Sequence, residues 1–223
     1  MRVLGIETSS PRGSVALVEG DQVVAHAVSD EPGRHSERIL PLIDGLFAQL
    51  GWPRTSIQRV GVGVGPGNFT GLRMGLALAS GLTLGLGVPA VGVGSLRAVA
   101  AGLPSDDPRL RVVVRDARRG DFFVGAYSSR GEEVLAPIAL PQATLADQLA
   151  SLVPPGPYVV LGTELSGHPF AANELTAEPD ARVVARLAAT LSPDAHPPAP
   201  HYVRGPDVVR PRLVPSPLAL PRS

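Results

Sequence analysis

The chain contains no cysteine, and aromatic residues make up only 4% of its 223 residues. Without cysteine, disulfides and thiolate chemistry are excluded. With so few aromatic side chains, it has no stripe of alternating basic and aromatic residues of the kind that binds single-stranded RNA. An excess of positive charge is missing too, since 20 basic residues balance 20 acidic ones. Proteins that bind nucleic acid unaided normally carry such an excess, so we expect any such contact to be made through a partner.

Signals for export or membrane insertion are also lacking. The first residues form no long apolar segment and are followed by an acid at Glu7, which predicts a cytoplasmic protein. Residues 74–96 carry no charge, but glycines and Pro89 interrupt them. A helix ending near Gly87 and a strand after it explain this stretch better than a membrane span. With 44% hydrophobic residues, the chain is expected to bury a substantial core.

The stretch 60–75 is the most distinctive in the sequence. Its first half alternates valine with glycine, which predicts a buried strand that another backbone approaches closely. The turn Gly65-Pro66-Gly67 then ends the strand, and Asn68 and Thr70 are typical N-cap residues of a helix. The free N–H groups of such a helix start can bind a phosphate or carboxylate, although a tight connection without a ligand explains the pattern equally well. The candidate anion-site residues in this stretch are Gly65, Gly67, Asn68, Phe69 and Thr70.

The nine residues from Gly65 to Arg73 resemble the G-P-G-S-F-T-G-L-R signature of the TsaB (YeaZ) family, with Asn68 in place of serine. That family is a component of the bacterial machinery that makes threonylcarbamoyladenosine in tRNA. The resemblance runs from residue 1 to about residue 128 and returns weakly near the end of the chain. Its further matching stretches are 35–41, 92–96, 116–123 and 200–204.

The resemblance implies an α/β fold of the actin-like ATPase type (ASKHA, ribonuclease H-like), with two lobes of which the second is reduced. We expect a first lobe with the partner-binding helices over residues 1–104, and a smaller lobe over 105–204. A disordered proline-rich tail is expected over 205–223. The start of the chain suits this fold, because a short strand, a polar turn and a hairpin around Gly20-Asp21 follow one another.

The polar turn is Glu7-Thr8-Ser9, where the family usually has aspartate, threonine and serine. In actin-like enzymes an acid and hydroxyls at this turn handle phosphate and magnesium. Glutamate is longer by one methylene, so that geometry does not carry over automatically. Two interpretations stay open, namely that these residues belong to the anion site or that they only satisfy the backbone of a turn.

Two helices are predicted on either side of the valine–glycine strand, over residues 35–50 and 71–87. The first has apolar residues at three- and four-residue steps, and the second is rich in small residues that let another helix approach closely. In the TsaB family these two helices dock the enzyme TsaD, and the same face can pair two copies into a homodimer. An ordinary internal packing face is the alternative. The predicted interface residues are Ile39, Leu42, Ile43, Leu46, Leu50, Leu72, Arg73, Leu76 and Ala79.

No metal, cofactor or catalytic residues are predicted. TsaD, a distant relative, has two metal-binding histidines four residues apart, whereas Ile39 follows His35 at that spacing, which argues against a metallopeptidase. The resemblance therefore implies a non-catalytic scaffold or activator of TsaD, with the small ATPase TsaE as a third member and tRNA bound only through the complex. The alternative is an active actin-fold ATPase or phosphotransferase that binds Mg-ATP through Glu7, Thr8 and Gly65–Thr70.

Overall fold

A computed structural model describes residues 1–29, 31, 35–162 and 174–203 of the chain. The stretch 205–223, expected to be a disordered tail, lies outside the described residues, and so does Arg204 at the end of the weaker family match. The side chain of His35 is also outside the described part.

The first lobe is built on a five-stranded sheet in the order β3-β2-β1-β4-β5. Strands β1, β2 and β3 form an antiparallel meander, while β4 and β5 run parallel to β1. The predicted hairpin turn at Gly20-Asp21 is confirmed, because it joins β2 to β3. The strands are β1 (Arg2–Glu7), β2 (Ser14–Glu19), β3 (Gln22–Val28), β4 (Arg59–Gly65) and β5 (Ala90–Gly94).

The second lobe repeats this arrangement in a sheet of its own, with the order β10-β9-β6-β7-β8. Strands β6, β7 and β8 are the antiparallel meander, and β9 and β10 run parallel to β6. Strand β6 therefore takes the place that β1 has in the first sheet, and β9 takes the place of β4. The strands are β6 (Leu110–Arg118), β7 (Asp121–Tyr127), β8 (Glu133–Pro141), β9 (Tyr158–Gly162) and β10 (Glu174–Thr176).

Helices α1 (His35–Leu50) and α2 (Phe69–Leu86) cover one face of the first sheet. Helix α1 is followed by a glycine with a φ of 65°, at Gly51. Helix α2 is capped at its start by Asn68 and ends at Gly87, which has a φ of 67°. Both predicted helices are confirmed, with α2 starting at Phe69, slightly earlier than expected. The valines of β4 face these two helices: Val60, Val62 and Val64.

Helix α5 (Ala181–Thr190) covers the opposite face of the first sheet, although it follows the second sheet in the sequence. Two glycines make room for it. A Cβ on Gly61 would lie 2.5 Å from the Cβ of Ala188, and one on Gly5 would overlap the Ala181 carbonyl oxygen. The valine–glycine alternation of β4 therefore serves two different helices, one on each face of the sheet.

Helix α3 (Ser95–Ala100) makes the reciprocal crossing from the first lobe to the second. It follows β5, yet its Leu96 and Val99 pack with Val113 and Tyr127 of the second sheet. Each lobe thus supplies one helix to the other. The expected division at residues 104 and 105 stays a prediction. Near the end of the expected second lobe, α5 buries its apolar side against the first sheet.

Helix α4 (Leu145–Leu152) lies on the far side of the second sheet from α3, where Leu145 and Leu149 enter the core. Neither this helix nor β8 is predicted by the sequence patterns. The second sheet has as many strands as the first, so within the described residues the reduction of the second lobe lies in its helices. Helix α4 has 8 residues, against 16 in α1.

Among the described residues, α2 is the one helix long and apolar enough to cross a membrane. Length and composition alone are weak support for a membrane span, because core helices pass the same test. Here one side of α2 is buried against the first sheet, through Gly71, Leu72, Gly75, Leu76 and Ala79.

Candidate functional site

The Glu7 carboxylate lies at the end of the central strand of the first sheet and is completely buried, with 0% of the residue exposed. Burial raises the pKa of Glu7 above its usual value, and hydrogen bonds from Ser9 together with the charge of Arg115 oppose that rise. The Ser9 backbone N–H donates to the carboxylate over 2.5 Å. An acid in this position does not meet solvent or a ligand dissolved in it.

Hydrogen bonds connect Glu7 to the turn after β4. The hydroxyl of Ser95, the first residue of α3, donates to the Glu7 carboxylate over 3.4 Å and accepts the Gly65 N–H over 3.2 Å. The neighbouring Gly63 provides the space, since a Cβ there would overlap the carboxylate of Glu7. The glycine on β4 is thus required by an acid on the adjacent strand.

The turn into α2 uses its donors within the chain. The Asn68 N–H donates to the Ser9 carbonyl oxygen over 2.8 Å, and the Gly71 N–H donates to the Asn68 side chain over 3.1 Å. The Thr8 hydroxyl donates to the Gly71 carbonyl oxygen over 2.8 Å. The structure brings these predicted residues together as a hydrogen-bonded joint between β1 and α2. This geometry favours the strand-to-helix connection over an open anion site.

The remaining residues of the predicted anion site are Gly67, Phe69 and Thr70. A Cβ on Gly67 would lie 2.5 Å from the Ser9 carbonyl oxygen, so this glycine allows the two backbones to approach. Phe69 and Thr70 point outward and are exposed. They belong to the surface around the start of α2 and not to the buried joint beneath it.

Phe69, Arg73 and Tyr202 form an exposed cluster on that surface. The rings of Phe69 and Tyr202 have their centroids 5.4 Å apart, and the Arg73 guanidinium lies 4.1 Å from the centroid of Phe69. Arg73 Nε also donates to the Tyr202 hydroxyl over 3.2 Å. Arg73 and Tyr202 are 129 residues apart in the sequence. The stretches 65–73 and 200–204, which both resemble the same family, are therefore in contact here.

Arg115 of β6 is a buried cation that the sequence patterns did not point to. Its residue is 7% exposed, and burial lowers its pKa, while the charges of Glu7 and Glu178 raise it. Within the described part of the chain its Nε and Nη1 have no hydrogen-bond partner. The sequence does contain one indication that Arg115 is buried, since it directly follows the apolar run Val112 to Val114.

The predicted interface residues are mostly core residues of the chain itself, and their role in docking a partner stays a prediction. The inner sides of α1 and α2 pack on the first sheet, so apolar residues at helical spacing there are used within the chain. Leu42 and Leu50 are half-buried at the edge of this core, and Arg73 is exposed. The buried ones are Ile39, Ile43, Leu46, Leu72, Leu76 and Ala79.

The outer sides of the same helices combine small and apolar residues. Leu84 is 88% exposed, and Leu40 is 46% exposed. A Cβ added at Gly45, Gly81 or Gly85 would meet no atom within 4 Å. Glycine in a helix interior costs about 1 kcal/mol relative to alanine. Nothing packed against these three positions in the described chain requires glycine.

A metal-binding group of titratable side chains was looked for in the part of the chain that the structure describes, and none is present there. No set of three His, Cys, Asp or Glu residues within the described ranges has the geometry to hold a metal ion. His26 Nε2 and Asp180 Oδ1 lie 3.6 Å apart.

The chain is similar to proteins whose names refer to the modified tRNA nucleoside threonylcarbamoyladenosine or to the enzyme that makes it. A protein-family model described as "TsaD: tRNA N6-adenosine threonylcarbamoyltransferase" matches residues 29–167. The tRNA threonylcarbamoyladenosine biosynthesis protein TsaB of Bacillus subtilis (strain 168) is 30% identical over 169 residues, which cover 75% of this chain and 73% of that protein. TsaB of Escherichia coli (strain K12) is 38% identical over 128 residues, 57% of this chain. That match spans 55% of the E. coli protein.

The solved structure of YeaZ from Pseudomonas aeruginosa has the same fold. The two chains superpose with a TM-score of 0.73 at 24% sequence identity, over 90% of this chain and 99% of that one. The α/β fold with one sheet in each of two lobes, as expected from the sequence, is therefore also the fold of YeaZ.

Proposed function

Since the chain belongs to the TsaB (YeaZ) family, we propose that it is a non-catalytic scaffold and activator of a TsaD-like enzyme. That enzyme would install threonylcarbamoyl on the adenosine next to the tRNA anticodon. The names of the E. coli and B. subtilis relatives support the pathway, since both are threonylcarbamoyladenosine biosynthesis proteins. We place the complex in the cytoplasm, where tRNA is modified.

The proposed docking surface is the outer face of α1 and α2. Gly81, Leu84 and Gly85 lie together on α2 and are exposed, and the two glycines face open space. Outward glycines lower the stability of the isolated helix and bring no gain inside the described chain. They do permit the backbone of another helix to come close. We therefore move the proposed interface from the buried inner side to this outer face, with Arg73 at its edge.

The buried end of β1 supports an accessory role over an ATPase. A magnesium–phosphate group needs access to a carboxylate, and Glu7 is enclosed by Gly63, Ser95 and the turn into α2. Opening this end would break the bond from Thr8 to Gly71 and the bond from Asn68 to Ser9. The isolated protein is therefore expected not to bind Mg-ATP, which calorimetry with the purified chain would test directly.

Other partners follow from the same face and from the charge balance. A second copy of the chain would compete with TsaD for the outer face of α1 and α2, so homodimer and heterodimer would exclude one another. A TsaE-like ATPase would join the heterodimer. With 20 basic and 20 acidic residues the chain has no general affinity for tRNA, which would bind through the complex.

Substitution of an outward glycine tests the interface without damaging the core. Gly81→Leu places bulk where a partner helix would lie, so we expect TsaD binding to fall at least about tenfold, as measured by calorimetry. The free energy of unfolding should stay the same or rise by up to about 1 kcal/mol, because leucine favours the helix. Ser151→Leu on the exposed side of α4 is the matched control and should bind normally. Unchanged TsaD affinity in Gly81→Leu would refute the proposed face.

Reconstitution tests the activator role itself. TsaD, TsaE, threonylcarbamoyl-AMP, ATP and tRNA would be combined with and without this chain, and modified adenosine would be quantified. We expect modification only when the chain is present, and its loss with Gly81→Leu. Equal modification without the chain would contradict the proposed function.

A further inference from the structure

In each sheet, one arginine bonds to the C-terminal end of the helix that comes from the other lobe. Arg59 belongs to β4 of the first sheet and bonds to the end of α5. Arg111 belongs to β6 of the second sheet and bonds to the end of α3. The last carbonyl oxygens of a helix have no partner within the helix, and a positive charge there also suits the helix dipole. Each arginine is therefore placed to hold a helix end.

Arg59 closes the end of α5. Its Nη1 donates to three carbonyl oxygens at distances of 2.7 to 3.3 Å, which belong to Ala188, Ala189 and Leu191. The last turn of α5 has no basic residue of its own, so the cation at this end comes from the sheet. The start of α5 is held by the first sheet as well, because the Ala181 N–H donates to the Ser14 hydroxyl over 3.0 Å. Both ends of α5 are thus bonded to the first lobe.

Arg111 holds the end of α3 and the connection that follows it. Its Nη1 donates to the Ala100 carbonyl oxygen over 3.2 Å, and its Nη2 donates to the Pro104 carbonyl oxygen over 2.6 Å. The residue is 2% exposed, and a buried guanidinium is costly unless its donors are used. The start of α3 is bonded to the first lobe, where the Ser95 hydroxyl accepts the Gly65 N–H. Helix α3 is therefore held by one lobe at its start and by the other at its end.

We propose that Arg59 and Arg111 are latches that fix the two lobes relative to each other. Within the described residues the chain passes between the sheets twice, through α3 with residues 101–109 and through residues 177–180 with α5. If the angle between the lobes changed, these passages would have to bend. Arg111 bridges the first passage, and Arg59 keeps α5 from following the second lobe. The latches lie within this chain and act without a partner.

Pulsed electron paramagnetic resonance on the full chain tests the latches. The chain contains no cysteine, so spin labels can be attached at two introduced ones, Asp21→Cys in the β2–β3 turn and Arg130→Cys in the β7–β8 turn. Both residues are exposed, and they lie in different lobes. We expect Arg59→Met and Arg111→Met each to widen the distribution of label-to-label distances at least about twofold, because a released helix end lets the lobes move. A distribution as narrow as that of the labelled wild type would overturn the proposal for that arginine.

Two controls separate a released latch from a damaged lobe. Arg54→Met should leave the distribution unchanged, since Arg54 is exposed and bonds to Asp44 of α1 within the first lobe. A second label pair, Asp21→Cys with Gln49→Cys, lies entirely in the first lobe and should stay narrow in every variant. If this pair widens as much as the first in Arg59→Met, the first lobe itself has loosened and Arg59 is not a latch.

Milder variants cover the case in which a methionine variant does not fold. Arg111→Lys keeps the charge but has one nitrogen, so it loses the forked geometry that reaches two carbonyl oxygens. Hydrogen exchange of the Ala101 N–H, which closes the last turn of α3, should be at least about tenfold faster than in the wild type. Arg59→Gln should do the same to the Leu191 N–H at the end of α5. Wild-type exchange at these amides in the folded variants would overturn the proposal.

Discussion

Gly63 and Gly81 show that one residue type has two unrelated uses in this chain. Gly63 leaves the space that the Glu7 carboxylate occupies, whereas Gly81 faces open space. Gly63→Ala should lower the free energy of unfolding by about 1–3 kcal/mol, because the added methyl group must displace a buried acid. Gly81→Ala should raise it by up to about 1 kcal/mol. Urea unfolding of both variants measures the contrast, and equal effects would contradict our account of Gly63.

His26 gives the protein a defined response to acid. Burial lowers the pKa of His26, and the charge of Asp180 partly offsets this, while Arg182 adds to the lowering. The unfolded chain therefore binds more protons than the folded one just below the normal histidine pKa of about 6.5. Stability should be complete above that pH and should fall as the pH drops through it. Unfolding measured between about pH 5.5 and pH 7.5 should show this slope, with a smaller slope for His26→Gln.

If His26→Gln keeps the wild-type slope, His26 is not the group responsible.

Individual contacts at the site could be predicted from the sequence only where they are local. The N-cap role of Asn68 was readable, since it depends on residues three positions apart. The hydrogen bond from Ser95 to Glu7 could not be predicted, because the two residues are 88 positions apart in the sequence. Periodicity likewise identifies the apolar side of a helix but not what covers it. For Ile39 and Leu76 the chain's own sheet covers that side.

At the scale of elements, the C-terminal segment after α5 acts as a tether across the first lobe. The Gly92 N–H donates to the His196 carbonyl oxygen, and the His201 N–H donates to that of Val64 over 2.7 Å. Tyr202 then fixes the end of the segment to α2 through Phe69 and Arg73. The segment thereby connects the end of α5 to the start of α2.

Removal of the Tyr202 ring should loosen this tether. Tyr202→Ala is expected to lower stability by about 1 kcal/mol through the lost aromatic contact. It should also speed hydrogen exchange of the His201 N–H while that of the Val62 N–H stays slow. Tyr202→Phe keeps the ring and is expected to lie close to the wild type. Unchanged exchange at His201 in Tyr202→Ala would show that the segment is held without the ring.

Elements with strong periodicity were predictable, and others were not. Helices α1 and α2 have clear stop and start signals, and their predicted limits agree with the structure to within a few residues. Strand β8 was not predicted, because Pro137 interrupts it and because its side chains do not alternate clearly between buried and exposed. The segment forms a strand because it pairs with β7, and this pairing cannot be recognised from the sequence of the segment alone.

For the whole molecule, the exchange of α3 and α5 means that neither lobe is complete alone. A fragment of residues 1–104 would keep β1 to β5 but expose the face that α5 covers, including Val3, Val18 and Val91. We expect this fragment to show no cooperative urea unfolding, in contrast to the full chain. Fragment and full chain would be compared by circular dichroism and by the dispersion of their amide NMR spectra. A cooperative transition in the fragment would show that α5 is dispensable to the first lobe.

The late position of α5 also has a consequence for how the protein is made. A ribosome releases the chain from its N-terminus, so the first sheet emerges early with only α1 and α2 to cover it. The other face of the sheet stays exposed to water until more than eighty further residues have been synthesised and α5 can pack on it. During that interval the nascent chain presents a groove of valines and glycines shaped for a helix. Such a groove is a natural target for ribosome-associated chaperones, and slow translation of the second lobe would lengthen the period in which this protein depends on them.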